Sequence, residues 1–133
     1  MPTAIDEYNT IKLIGKGCYS IGAFGNVFQV KNKTTNEIRA MKIISKENVK
    51  NIESFSREIS TLRKLDHPSI IKIIEYFQDN DNFYIISEYC EGGELFDLIV
   101  KEKRLHETLA ATIMKQLVSA IAYCHNLNIM HRL

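Results

Sequence analysis

Little in this 133-residue sequence points to a membrane, a disulfide framework or a polyanion. No apolar run approaches the length that spans a bilayer, and no signal-peptide pattern opens the chain. Cysteine is scarce: Cys18, Cys90 and Cys124 are the three present. They are odd in number and lack the paired spacing of a metal site, so they read as free thiols in a reducing, cytoplasmic compartment. A charge excess is also missing. Seventeen Lys and Arg face 16 Asp and Glu, a net +1, with the basic residues spread along the chain. Bulk electrostatics therefore gives no reason for a nucleic-acid or membrane-surface partner. There is no internal repeat, no low-complexity segment and no calcium-binding loop. What remains is an ordinary globular composition, 45% hydrophobic and 25% charged. It suits one small domain, or one lobe and part of another.

The most informative stretch is Ile38-Arg39-Ala40-Met41-Lys42-Ile43-Ile44. Its alternation predicts a strand with Ile38, Ala40, Lys42 and Ile44 on one face. A lysine among aliphatic neighbours must find anions, lose its charge, or snorkel to water from a strand edge. Its surroundings favour the first. A glycine-rich hairpin precedes it, an amphipathic helix bearing a glutamate follows, and a Glu-Tyr-Cys-Glu-Gly-Gly-Glu segment lies further on.

Taken in order, 1–7 is a polar lead-in. Tyr8–Ile14 has strand propensity, with Ile11 and Leu13 on one face. The glycine-rich run Gly15 to Val27 leads to a second strand at Phe28–Lys31. A polar turn over Lys33–Glu37 leads to the lysine strand, so three antiparallel strands form the opening unit. Residues 52–65 have helical period, with Ile52, Phe55, Ile59 and Leu62 as the apolar stripe and Glu58 at its edge. Asp66-His67-Pro68 stops that helix. Strands are expected at Ile70–Phe77 and Phe83–Ser87 around an Asp79–Asn82 turn. Glu88 to Gly93 is a linker, Glu94 to Lys101 a short helix, and Glu107 to Leu127 a long one. The last has Leu109, Ile113, Leu117, Ala120, Ile121 and Cys124 on one face.

This order of motifs resembles the small lobe of a eukaryotic protein kinase running into the start of the large lobe, over about Tyr8 to Arg132. Details such as Gly-Gly-Glu-Leu-Phe-Asp after the linker are similar to the calcium/calmodulin-dependent group, above all the calcium-dependent kinases of plants and protists. The resemblance implies an α+β fold: a five-stranded antiparallel sheet with one helix over 8–88, a hinge at 89–93, and two helices of an incomplete helical lobe over 94–133. It implies ATP as cofactor, with Mg²⁺ in the family, and transfer of the γ-phosphoryl group to Ser or Thr of a protein substrate. Lys42 matches the lysine that pairs with the ATP phosphates, and Glu58 the helix glutamate that aims it. Val27 and Ala40 match the small apolar residues that sandwich adenine, with Ile14 alongside at the mouth of the glycine loop. Plain core packing would place Val27 and Ala40 equally well. Glu88 and Cys90 match linker positions whose backbone groups hydrogen-bond adenine. Glu94 matches a carboxylate near the ribose, although an acidic residue also suits a helix N-terminus. Ser87 stands before the linker, where it governs a pocket behind adenine. A serine leaves that pocket open, so Ser87→Met is expected to weaken inhibitors bearing a bulky aromatic group.

Two features depart from the family pattern. The loop G-x-G-x-x-G-x-V is about five residues too long here, Cys18 to Gly22 lying between Gly15-Lys16-Gly17 and Gly25-Asn26-Val27. In an alternative register Gly22 is the second glycine. Either way the extra slack is expected to weaken phosphate binding by the loop. Second, His131-Arg132 matches the start of the catalytic H-R-D, but Leu133 stands at the aspartate. The catalytic Asp and the Mg²⁺ ligands are missing from these residues, so the chain is expected to be inactive. A non-catalytic nucleotide-binding or interaction fragment, and a mis-spliced product without function, are the competing expectations. Self-association through the exposed 107–127 helix is a further expectation.

Overall fold

The computed structural model describes residues 4–18 and 24–130. They form two compact units, one of Met1–Leu65 with Ile71–Tyr89, the other of Asp66–Ile70 with Cys90–Leu133.

In the first unit the polar lead-in contains a single helical turn, α1 (Ala4–Glu7). The strands are β1 (Tyr8–Cys18), β2 (Phe24–Asn32), β3 (Ile38–Ser45), β4 (Ile73–Gln78) and β5 (Asn82–Glu88), with helix α2 (Ile52–Arg63) between β3 and β4. The sheet order is β1-β2-β3-β5-β4, and every neighbouring pair is antiparallel. Five antiparallel strands and one helix are what the sequence predicts. β1 and β2 run further than expected, because the glycine-rich segment itself joins the ladder. Gly15 pairs with Val27, Gly17 with Gly25 and Cys18 with Phe24. Backbone pairing needs no side chains, so the glycines do not end the strands.

Local chemistry sets the turns. Asn32 Oδ1 accepts the amides of Thr34 and Thr35, and Asn36 takes φ 62°, closing the β2–β3 connection. An Asn tolerates that left-handed conformation better than most residues. Asn51 caps α2 by accepting the Ser54 amide at 2.8 Å. At the other end of α2 the Lys72 ammonium donates to the carbonyls of Leu65 at 2.8 Å and Arg63 at 3.3 Å. A cation there satisfies orphan carbonyls and complements the helix dipole.

Two apolar layers hold the sheet. On one side Phe55 and Ile59 of α2 pack with Ile44, Val49, Ile73, Phe83 and Ile85. The Phe55 and Phe83 rings lie 4.7 Å apart, and burying each such side chain contributes about 1.5–3 kcal/mol. The stripe begins one turn inside the helix: Ile52, counted in it from the sequence, is 46% exposed. On the other side Tyr8, Val30, Met41, Tyr84 and Ile86 form a second buried cluster. The Tyr8 hydroxyl donates to Glu75 Oε2 at 2.5 Å. Burial, then that carboxylate, raises the Tyr8 pKa above its ordinary value.

The β4–β5 turn carries an acid-sensitive contact. Asp79 Oδ2 accepts the Tyr84 hydroxyl at 2.6 Å, and its Oδ1 accepts the amides of Asp81 and Asn82. The tyrosine hydroxyl first, then the two amides, hold the Asp79 carboxyl below the usual carboxylate range. A depressed folded-state pKa stabilises the fold above the unfolded value, and that contribution is lost as pH falls through the folded value. Asp79→Asn should therefore flatten the stability decline below about pH 4. Urea denaturation across acidic pH measures this, and an unaltered acid limb would refute it.

The second unit contains α3 (Leu95–Glu102) and α4 (Glu107–Asn126). The segment after α2 is tied to α4: the Asp66 amide donates to the Tyr123 hydroxyl at 3.1 Å, and His67 Nε2 meets Ser119 Oγ at 3.0 Å. His67 Nδ1 accepts the Ser69 amide, so in the neutral ring Nε2 carries the hydrogen and donates to Ser119. Neither α3 nor α4 buries a residue. Phe96, Val100, Leu109, Met114, Leu117, Val118 and Ile121 are all exposed.

Candidate functional site

Directly paired residues of an antiparallel ladder carry their side chains on the same face. One such rung crosses the sheet as Gly15, Val27, Lys42, Ile85 and Tyr76. Ile85 belongs to the apolar cluster that contains Phe55 and Ile59 of α2. Lys42 therefore lies on the α2 side of the sheet. So does Ile44, two residues on, which packs in that cluster. Glu58 sits on α2 beside the buried Ile59 and is half-buried, as is Lys42. Neither side chain is without a partner. The two charges thus share the same side of the sheet, a requirement for their pairing.

The next rung is Gln29, Ala40, Ser87 and Ile73, which sets Ala40 and Ser87 side by side on the same face. Val27, Ala40 and Ser87 are half-buried. Val27 and Ala40 thus place two small apolar side chains on the face that carries the lysine, with the Ser87 hydroxyl beside them. Ser87 Oγ donates to the Glu88 carbonyl at 3.3 Å. Ile14 lies where the β1–β2 register shifts between Leu13 and Gly15, and it is 39% exposed.

The glycines differ in what they do. A Cβ on Gly25 would stand 2.4 Å from the Ile43 carbonyl oxygen and 2.8 Å from Ile44 Cγ1. Gly25 is therefore demanded by the close approach of β2 to β3. A Cβ on Gly15 would meet nothing within 4 Å. Gly15 has no packing reason to be glycine, which leaves room above the strand for a ligand. The pairing of Gly17 with Gly25 and of Gly15 with Val27 fits the register in which Gly15 and Gly17 come first. Gly22, the alternative, lies outside the described residues, as do His131, Arg132 and Leu133.

Cys90 and Glu94 belong to the second unit and both are exposed. Glu94 is the extended N-cap residue of α3 and makes no side-chain capping bond, so its carboxylate is not used in ending the helix. Gly93 before it takes φ 76°, a conformation that favours glycine. Cys90 and Cys124 are free thiols. Among the described residues no group of three or more His, Cys, Asp or Glu could hold a metal ion. No helix among them is long and apolar enough to cross a membrane. Sequence reasoning passed over Lys72 and Ile85. Ile85 carries an ordinary strand signal, and Lys72 acquires its partners only when α2, β4 and β5 meet.

The protein kinase domain family matches residues 8–132 of the chain. Calcium-dependent protein kinase 5 of Plasmodium falciparum (isolate 3D7) is 46% identical over 127 residues, which cover 96% of this chain and 22% of that protein. CBL-interacting serine/threonine-protein kinase 9 of Arabidopsis thaliana is 36% identical over 133 residues, covering 98% of this chain and 29% of the relative. The chain thus spans less than a third of the length of these curated relatives. A crystal structure of Rad53 1-466 in complex with AMP-PNP superposes with a TM-score of 0.87 at 28% identity, covering 100% of this chain and 34% of that one. The sheet with its single helix, together with these matches, shows that the chain belongs to the protein kinase domain family.

Proposed function

We propose that these residues form the nucleotide-binding part of a protein serine/threonine kinase. The rung that carries Gly15, Val27 and Lys42 on the α2 side of the sheet supports this reading most directly. In it the Lys42 ammonium binds the α- and β-phosphates of ATP, and Glu58 keeps that long flexible cation aimed and protonated. Val27 and Ala40 pack on adenine, with Ile14 beside them. The backbone of Glu88 and Cys90 reads the base edge, Glu94 faces the ribose, and Gly15, Gly17 and Gly25 let the loop backbone approach phosphate. In the whole kinase a Ser or Thr hydroxyl of a protein substrate attacks the γ-phosphorus, and ADP leaves. The free thiols favour a reducing, intracellular setting.

Phosphoryl transfer depends on an oriented nucleophile and on neutralised phosphates. Lys42 and Glu58 alone supply neither an aspartate for the acceptor hydroxyl nor carboxylates for Mg²⁺. The 133-residue polypeptide should therefore bind ATP without turning it over. Isothermal titration with ATP and a phosphotransfer assay on the same preparation check both halves. Absence of ATP binding overturns the reading, and turnover above background overturns the inactivity.

A second reading, self-association, is favoured by the exposed apolar faces of α3 and α4. Each large side chain left in water forgoes about 1.5–3 kcal/mol. Sedimentation should show this polypeptide associating as its concentration rises, and substituting Glu for Leu117 and Val118 should reduce that. A monomer at every concentration removes this reading.

A further inference from the structure

Where β4 meets the end of β5, the ladder departs from its regular form. The Glu88 amide donates to the Lys72 carbonyl at 3.0 Å. In a regular antiparallel pair the two residues exchange both bonds, and the Lys72 amide would return to the Glu88 carbonyl. It goes instead to the Glu88 side chain, to Oε1 at 2.8 Å. The carboxylate has taken the place of its own backbone carbonyl. That carbonyl accepts the Ser87 hydroxyl at 3.3 Å, long for an O–H···O bond. Lys72 is not free to shift, since its ammonium is fixed on the carbonyls of Leu65 and Arg63 at the end of α2. Glu88 is a half-buried residue, and a carbonyl has a second lone pair with which to meet a further donor.

This rests on the nucleotide reading above, in which the Glu88 backbone meets the base. We infer that the Glu88 side chain sets base selectivity: by accepting the Lys72 amide it keeps the Glu88 carbonyl available to the exocyclic amine of a 6-aminopurine. Without the carboxylate, the Lys72 amide takes the carbonyl back into the ladder, and the amine loses its acceptor. Glu88 is thus a positioning residue, acting through its own backbone rather than by touching the ligand with its side chain.

Titration of the 133-residue chain with ATP and with purine riboside triphosphate, which lacks the 6-amine, tests this. The parent should prefer ATP by about two- to tenfold, the worth of one neutral hydrogen bond. In E88M that preference should collapse while the affinity for purine riboside triphosphate stays at the parent value. E88Q, whose amide oxygen still accepts from Lys72, should keep the parent preference. Should E88M fail to fold, E88D is read in its place, its carboxylate being one methylene too short to reach the amide. A purely structural role would weaken both nucleotides together, and that result overturns the inference. So does an intact ATP preference in E88M. A parent that binds neither nucleotide overturns the nucleotide reading and this inference with it.

Discussion

Replacing Lys42 with methionine is expected to lower ATP affinity about ten- to hundredfold while leaving adenosine affinity unchanged. Hydrogen bonds to charged groups are worth about 1.5–3 kcal/mol, and each 1.4 kcal/mol is about tenfold in affinity. The fold should survive the change. Lys42 is half-buried on a face it shares with Val27, Ile85 and Ile44, and a methionine of similar length packs there without an ammonium to solvate. Titration with ATP and adenosine on the same variant separates the two contributions. Equal ATP affinity in parent and variant would remove Lys42 from the phosphate site. Equal losses for ATP and adenosine would show that the variant damaged the sheet instead. Glu58→Gln should move ATP affinity in the same direction by less, because the cation remains and only its aim is relaxed.

Gly25→Ala is expected to destabilise the first unit, whereas Gly15→Ala is expected to leave stability near the parent value and weaken ATP. The added methyl at position 25 meets a backbone oxygen at 2.4 Å, and backbone cannot swing aside as a long side chain can. Overpacking of this kind costs about 1–3 kcal/mol, a fall in Tm of about 5–20 °C for a unit of this size. At position 15 the methyl enters open space, so any loss must come through whatever occupies that space. Thermal unfolding and ATP titration of both variants check the contrast. A Gly15→Ala chain that binds ATP like the parent would show that no phosphate comes near that strand. A Gly25→Ala chain of unchanged Tm would show that β2 can move away from β3.

Much of the fold was legible beforehand. The alternation through Ile38 to Ile44 placed β3 and put Lys42 on the face of Ile44, and the spacing of Phe55, Ile59 and Leu62 marked α2. Turn chemistry at Asn32 and Asp79 lay where polar clusters predicted turns. The boundaries were less legible. β2 begins at Phe24 rather than Phe28, because the glycines at 15, 17 and 25 have no side-chain signal with which to announce pairing. Period alone puts Ile52 in the stripe, and a helix's first turn need not reach the layer its middle packs against.

The linear order of residues determined the elements, their faces and the family, since period, turn chemistry and motif order are local properties carried by neighbours in the chain. Only the folded sheet decided that Gly15, Val27 and Lys42 share a rung, that Gly25 and not Gly15 is required for packing, and that Lys72 joins the end of α2 to Glu88. Those relations depend on register and close approach between separate segments of the chain, and such pairing leaves no trace in local composition.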